Sequence, residues 1–133
     1  MPEEQKPLEV LVVDDEQEVR SVLVEFISSD GVNVTVAVDG QDGIDKYLKK
    51  EGRPYDLVLT DYSMPSANGV EVAREIKEQR RGTLIYILSG TPREIIDAEL
   101  SKVPEESRSE GIIPKPYIIM GMVDLIEKIR LYI

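Results

Sequence analysis

The chain has 133 residues, of which 41% are hydrophobic and 32% charged, a balance typical of one soluble globular domain with its own core. Its formal net charge of −10 disfavours direct binding to nucleic acid or to an anionic membrane surface. It contains no histidine and no cysteine, which excludes Ser-His-Asp catalysis, His-ligated zinc, thiolate metal sites and a disulfide framework.

Five short segments, apolar and rich in β-branched residues, predict β-strands. They are Leu8–Val13, Val32–Val38, Asp56–Thr60, Leu84–Leu88 and Gly111–Ile113. Nearly continuous apolar character is typical of parallel strands that are covered on both faces. The second segment alternates more, with polar Asn33 and Thr35, and this pattern favours a position near the edge of the sheet.

The segments between these strands have helical periodicity. The predicted helices are Glu16–Ser29, Gln41–Lys50, Val70–Arg80, Pro92–Val103 and about Ile118–Leu131. Three pairs with the spacing of a capping box predict helix starts, namely Asp15 with Glu18, Asn68 with Glu71, and Thr91 with Glu94. In the first helix, the periodicity predicts a core face formed by Val19, Val22, Leu23 and Phe26.

Alternating strands and helices predict an α/β domain with a parallel sheet, right-handed crossovers and helices on both faces. We expect a single domain over residues 1–133, with an ordered core from about 8 to 132. The polar N-terminal segment and the lack of a long apolar run predict a cytoplasmic protein that does not enter the membrane.

Polar side chains follow the predicted strands where ligands bind in sheets of this kind, beyond the carboxyl ends. Asp14 and Asp15 follow the first strand, Asp61 the third, Ser89 the fourth and Lys115 the fifth. Three neighbouring carboxylates repel unless a cation joins them, and a site with oxygen ligands alone selects a hard ion such as Mg²⁺. A carboxylate needs no general base to attack phosphorus, so Asp61 is a candidate nucleophile, with Lys115 and Ser89 placed to bind phosphoryl oxygens.

The pattern Val-Asp-Asp, Thr-Asp-Tyr-Ser-Met-Pro-Ser-Ala-Asn-Gly, Leu-Ser-Gly and Lys-Pro-Tyr, in this order, resembles the receiver domain of two-component response regulators. The likeness covers nearly the whole chain. It implies a flavodoxin-like (βα)5 three-layer sandwich whose five-stranded parallel sheet has the order 2-1-3-4-5.

The resemblance also implies roles for the residues at the strand ends. Asp61 corresponds to the phospho-acceptor. Asp15 and Asp61, with the backbone carbonyl of Ser63, correspond to Mg²⁺ ligands, while Asp14 corresponds to the carboxylate that holds the ion through water. Ser89 corresponds to the hydroxyl that senses the phosphoryl group, and Lys115 to the lysine that acts with it.

Two further sets of positions follow from the same resemblance. Ser63 and Thr91, each two residues beyond a site residue, match positions that tune the lifetime of the phosphoryl group. Members of the family often carry Tyr or Phe as a rotating switch side chain three residues before the lysine, and Ile112 occupies that position here. We therefore expect Ser89 and the loop after it to carry most of the switching.

The resemblance implies a phosphorylation-controlled switch that is not an enzyme acting on a separate substrate. The donor would be a phosphohistidine of a sensor histidine kinase or a histidine phosphotransfer protein, and the output a downstream protein target. Apolar residues beyond the core face of the last helix suggest a partner or homodimer surface: Met120, Val123, Leu131, Tyr132 and Ile133.

Two other functions remain open at this point. The absence of the aromatic switch at Ile112 favours a receiver fold that binds partners whether or not it is phosphorylated. A Mg²⁺-dependent hydrolase of the haloacid-dehalogenase type also uses an aspartate after its first strand. That class requires an Asp-x-Asp motif, whereas Asp14 and Asp15 are adjacent.

Overall fold

A computed structural model describes residues 6–28, 31–79, 82–115 and 123–129. Its strands form a single parallel sheet in the order β2-β1-β3-β4-β5, as predicted. The strands are β1 (Leu8–Val13), β2 (Val32–Ala37), β3 (Leu57–Asp61), β4 (Leu84–Ser89) and β5 (Gly111–Pro114). The alternating second segment lies at an edge of the sheet, as its polar residues indicated.

Helices cover both faces of the sheet and give the predicted three-layer arrangement. They are α1 (Gln17–Ile27), α2 (Gly40–Lys49), α3 (Gly69–Gln79) and α4 (Arg93–Leu100), with a 3-10 turn at Glu105–Ser107. Residues 123–129 are helical and are named α5. Of the apolar residues assigned to a partner surface on the last helix, Val123 is 38% exposed, and the other four lie outside the described residues.

The sheet separates the core into two layers because successive side chains of a strand point to opposite faces. Val10 and Val12 of β1 face α1 and α5, where they pack with Leu23 and Ile126. Leu11 and other residues of the opposite register face α2 and α3. The buried strand residues of both layers are mostly aliphatic, which explains why the strands read as continuous apolar runs.

The exposed face of α1 differs from the one that its periodicity predicted. Leu23 and Ile27 are buried, but Val22 is 42% exposed and Phe26 54% exposed. The buried stripe of α1, formed by Leu23 and Ile27, is therefore centred about one position further along the helix than the predicted face. The prediction that Val22 and Phe26 belong to the core was wrong, because α1 buries a narrower stripe than its apolar residues could supply.

Only one of the three predicted capping boxes forms. Asn68 Oδ1 accepts a hydrogen bond from the N–H of Glu71 at 3.0 Å, and Glu71 Oε1 accepts one from the N–H of Asn68 at 3.0 Å. Helices α1 and α4 have Glu16 and Pro92 at their N-caps, without a hydrogen bond from a capping side chain. Before α1, it is Asp14 and not Asp15 whose side chain accepts a hydrogen bond, from the N–H of Glu16.

An ion pair connects α3 to the segment before β5, at the end of the sheet opposite to the carboxyl ends of the strands. Lys77 Nζ lies 2.6 Å from Glu110 Oε2 and 2.7 Å from the carbonyl oxygen of Thr83, and the Lys77 side chain is 4% exposed. Glu110 Oε1 accepts a hydrogen bond from the N–H of Ile85 at 2.6 Å. Glu110 therefore fixes the start of β5 against both β4 and α3.

None of the helices in the described ranges combines the length and the apolar character needed to cross a bilayer.

Candidate functional site

The carboxyl ends of the central strands bring the predicted polar residues to one edge of the sheet. Asp61 is the last residue of β3 and lies beside Leu88 of β4. Ser89 is the last residue of β4, and its carbonyl oxygen accepts a hydrogen bond from the N–H of Lys115 at 2.9 Å. Asp14 follows β1, where its N–H donates to the carbonyl oxygen of Ala37 at 3.2 Å. The parallel register thus places residues from distant parts of the chain side by side.

Asp61 and Lys115 form the centre of this edge. Lys115 Nζ lies 3.3 Å from Asp61 Oδ1, and the exposed fractions of the two side chains are 32% and 8%. Burial raises the pKa of Asp61, while the charge and the hydrogen bond of Lys115 act in the opposite direction. Asp61 is therefore a largely enclosed carboxylate whose ionised form depends on the neighbouring ammonium group.

Asp14 is the most deeply buried acid of the site, with no exposed surface. Its Oδ1 accepts a hydrogen bond from the N–H of Glu16 at 2.8 Å, whereas its Oδ2, also buried, has no hydrogen-bond partner among the described residues. Burial raises the pKa of Asp14 to about 6, and the nearby negative charges of Asp61 and Asp15 add to this effect. A buried carboxylate oxygen without a partner is energetically unfavourable unless a cation or water satisfies it.

Asp14 belongs to a cluster of three carboxylates. One carboxylate oxygen each from Asp14, Asp15 and Glu16 lies within 4.8 Å of the others, and the last two side chains are exposed. Carboxylates alone, in an open acidic site, suit a hard divalent cation such as Mg²⁺. The residues present therefore fit a Mg²⁺ ion, and the buried Oδ2 of Asp14 is the observation that supports this fit.

Glu16 and Arg20 are members of the site that the sequence did not reveal. Glu16 was taken only as the start of a helix, but its side chain joins the acidic cluster. Arg20 donates from Nη1 to the carbonyl oxygen of Asp14 at 2.7 Å and so holds the loop between β1 and α1. The Asp-Asp-Glu run was visible in the sequence, whereas the Arg20 contact depends on where α1 places that side chain.

Ser89 is buried and organises the start of the loop after β4. Its Oγ accepts a hydrogen bond from the N–H of Thr91 at 2.8 Å, which leaves the hydroxyl hydrogen able to donate elsewhere. Thr91 is half-buried and Ser63 is exposed. Ile112 packs against the hydrophobic cluster that contains Ile96 of α4. The roles assigned to Ser63, Thr91 and Ile112 stay predictions.

Gly69 lets the loop after β3 close tightly behind Asp61. Its N–H donates to the carbonyl oxygen of Tyr62 at 2.9 Å. A Cβ atom at Gly69 would lie 2.7 Å from the carbonyl oxygen of Asp61, so a larger residue would push the acceptor strand away. The glycine of the Asp-Tyr-Ser-Met-Pro-Ser-Ala-Asn-Gly motif is therefore required by close approach of two backbone segments.

Comparison with protein-family models matches residues 10–129 to the response regulator receiver domain. A curated relative, response regulator ArlR of Staphylococcus aureus, is 38% identical over 79 residues, which are 59% of this chain and 35% of ArlR. The match thus spans about a third of the length of that relative.

Solved structures with the same fold cover nearly the whole chain. The response regulator TrrA of Thermotoga maritima, in complex with Mg²⁺ and BeF, is 26% identical, covers 91% of this chain and 97% of its own, and superposes with a TM-score of 0.74. The receiver domain of an HD domain-containing protein from Pseudomonas fluorescens is 20% identical, with 96% coverage of both chains and a TM-score of 0.80. The latter likeness concerns the fold alone.

Proposed function

The chain belongs to the response regulator receiver domain family of two-component signalling, and from this premise we propose that Asp61 accepts a phosphoryl group from a partner's phosphohistidine. The observation that carries the proposal is the enclosed carboxylate of Asp61 with the Lys115 ammonium 3.3 Å away, beside the acidic cluster of Asp14, Asp15 and Glu16. In the proposed reaction, Asp61 would be the nucleophile, Lys115 the cation for the phosphoryl oxygens, and the neighbouring acids the metal-binding groups.

The transfer needs no general base from this chain. A carboxylate oxygen of Asp61 forms the new P–O bond while the P–N bond to the donor imidazole breaks and its electron pair returns to nitrogen. Lys115 favours the ionised form of Asp61 before the reaction and faces the added negative charge after it. Ser89 can donate its hydroxyl hydrogen to a phosphoryl oxygen while it still accepts from Thr91.

Mg²⁺ is the proposed cofactor. Its predicted ligands are Asp15, Asp61 and the backbone carbonyl of Ser63, and Asp14 is predicted to bind it through water. When bound, it supplies positive charge that offsets repulsion among the carboxylates and the incoming phosphoryl group. The structure adds Glu16 to the acids near the site. The TrrA structure contains both Mg²⁺ and BeF, which is consistent with this proposal for a relative of the same fold.

The proposed donor is a sensor histidine kinase or a histidine phosphotransfer protein, since the chain has no histidine of its own. The proposed output is a changed surface for a downstream protein. Homodimer formation through the last helix and a cytoplasmic location are parts of the same proposal, and direct binding to nucleic acid is not expected from a net charge of −10.

The experiment is metal-dependent labelling with a small phosphodonor. Acetyl phosphate with Mg²⁺ should add one phosphoryl group to the wild type, read as a single mass increase of the intact chain, and none to Asp61→Ala. Asp97→Ala is the matched control, because Asp97 is an exposed carboxylate paired on the surface with Arg93. Equal labelling of wild type and Asp61→Ala would refute the assignment of the acceptor.

A further inference from the structure

Helix α4 is held to the rest of the domain by few apolar side chains. Of its eight residues, Arg93–Leu100, Ile96 is the one that is buried, and Ile95 is 54% exposed. Elements with so little buried apolar surface belong to the parts of a fold that open or move most readily. Polar contacts near the C-terminal end of α4 therefore have a large share in fixing its position.

Glu99 provides these polar contacts. Its Oε1 accepts a hydrogen bond from the hydroxyl of Tyr62 at 2.8 Å, and its Oε2 accepts one from Nδ2 of Asn68 at 3.0 Å. Through its Oδ1, the same Asn68 caps α3 at the N–H of Glu71. One carboxylate thus joins α4 to both ends of the loop between β3 and α3.

Tyr62 connects this contact to the acceptor, because it directly follows Asp61 in the chain. Its backbone is held on both sides: its N–H donates to the carbonyl oxygen of Leu88 at 3.1 Å, and its carbonyl accepts from the N–H of Gly69 at 2.9 Å. A residue fixed in this way cannot move independently of the strand end that carries Asp61.

The ring of Tyr62 is buried in a cluster with Val70, Ile87, Ile96 and Val103, against which Leu100 and Ile112 also pack. The other members of this cluster are all aliphatic, so within the described cluster Tyr62 is the member with a hydroxyl group. Tyr62 thus shares a cluster with Ile96, the buried side chain of α4, and its hydroxyl donates to Glu99 about one turn further along the helix.

We infer that Tyr62, through its hydrogen bond to Glu99, is the positioning residue that transmits a change at Asp61 to α4. The inference rests on the proposed phosphoryl acceptance. When Asp61 gains charge, Ser89 turns toward it, and the end of β3 and the first residues of the loop leading to α4 shift. This shift determines whether the hydrogen bond between Tyr62 and Glu99 of α4 is kept or broken. The position of α4 then depends on the acceptor, and by thermodynamic reciprocity the acceptor depends on α4.

The experiment measures amide hydrogen exchange of the full chain with and without Mg²⁺ plus beryllofluoride, with ¹⁹F NMR to follow fluoride bound at Asp61. In the wild type, loading should change the exchange of residues 93–100. In Tyr62→Phe, exchange in α4 before loading should rise roughly tenfold or more, since a hydrogen bond to a charged group is lost. The change on loading should fall at least about threefold, with fluoride still bound.

Two further variants separate coupling from general structure. Tyr86→Phe is the matched control, because Tyr86 is a half-buried tyrosine of β4 that packs in a different core layer; it should retain the full α4 response. Glu99→Ala removes both acceptor oxygens and should lose at least as much of the α4 response as Tyr62→Phe. Adding Tyr62→Phe to Glu99→Ala should change little, because the hydroxyl of Tyr62 has already lost this acceptor.

The results distinguish the inference from the proposed function. Failure of the wild type to bind beryllofluoride, or equal binding by Asp61→Ala, would overturn the acceptor proposal and this inference with it. Binding by the wild type and Tyr62→Phe with the same fold-change in α4 exchange would overturn the inference alone, since the contact would then be merely structural. Binding to the wild type without any response in α4 would also overturn it.

Discussion

Replacing the buried carboxylate of Asp14 should stabilise the metal-free protein. Burial raises the pKa of Asp14 from 3.8 to about 6, so the fold disfavours the ionised form. A difference of roughly two pKa units between the folded and the unfolded state lowers the free energy of unfolding by about 3 kcal/mol at neutral pH. Asp14→Asn removes this penalty and retains an oxygen that can accept from the N–H of Glu16.

The expected gain in the free energy of unfolding is smaller than this upper limit of about 3 kcal/mol. The amide nitrogen of Asn would take the place of Oδ2, which has no hydrogen-bond partner in the described part of the chain, and an unsatisfied buried amide costs about 1 kcal/mol. We therefore expect Asp14→Asn to stabilise the chain by about 2 kcal/mol in EDTA near pH 7.5. Urea unfolding followed by circular dichroism should show a midpoint about 1 M higher than that of the wild type.

The pH dependence has a defined sign. Because the pKa of Asp14 is higher in the folded state than in the unfolded chain, the penalty is absent below about pH 3.8 and develops as the pH rises through 6. Acidification from about pH 7.5 to 5 should relieve about 1.4 kcal/mol of it in the wild type. The advantage of Asp14→Asn should shrink by that amount over the same interval.

Added Mg²⁺ should reverse the order of stability, because an ion that binds the folded wild type stabilises it by mass action. The variant lacks the carboxylate proposed to hold the ion through water. Asp15→Asn is the control, since Asp15 is an exposed neighbour in the same cluster and should change the metal-free midpoint much less. An Asp14→Asn protein that is less stable than the wild type in EDTA, or whose advantage grows on acidification, would refute the reasoning.

Two further predictions concern the frame around the site. Glu110→Ala should destabilise the domain by about 3 kcal/mol, measured by urea unfolding, because the Lys77 side chain is 4% exposed and its ammonium loses the carboxylate 2.6 Å away. Lys77→Met should be milder, and equal losses would contradict this. Gly40→Ala should cost about 1–3 kcal/mol in the same assay, because its Cβ would clash with the carbonyl oxygen and the Cβ of Ala67. At Gly82, no atom of the described residues lies within 4 Å of the added Cβ, so Gly82→Ala should stay close to the wild type; similar midpoints for the two variants would show that the clash is relieved.

Much of the candidate site could be predicted because it lies at the ends of buried strands. Once the segments ending at Val13, Thr60 and Leu88 read as parallel strands, the next residues had to meet at one edge of the sheet. Asp14, Asp61 and Ser89 could therefore be named from their positions at the strand ends. Their burial, and the unsatisfied oxygen of Asp14, could not, since both depend on how closely the loops pack.

Helix detail was harder to predict. Val22 and Phe26 satisfied the apolar period of α1, yet they are exposed, because periodicity gives a face and not the angle at which the helix packs on the sheet. The capping boxes show the same limit. Asn68 and Glu71 form the reciprocal hydrogen bonds of a capping box. Asp15 and Glu18 have the same spacing but do not form them, because Asp14 instead accepts a hydrogen bond from the N–H of Glu16 at the start of α1.

The sequence by itself determined the succession of strands and helices along the chain and a parallel sheet covered on both faces, since the apolar runs of the strands must be buried on both sides. The order of the strands within the sheet came from the family resemblance. Only the tertiary structure decided which polar side chains meet across the layers. Lys77 with Glu110 and Tyr62 with Glu99 are separated by 33 and 37 residues. A hydrogen bond needs its two atoms within a few tenths of an ångström of the proper distance, and packing of whole helices sets that distance, not any local pattern of residues.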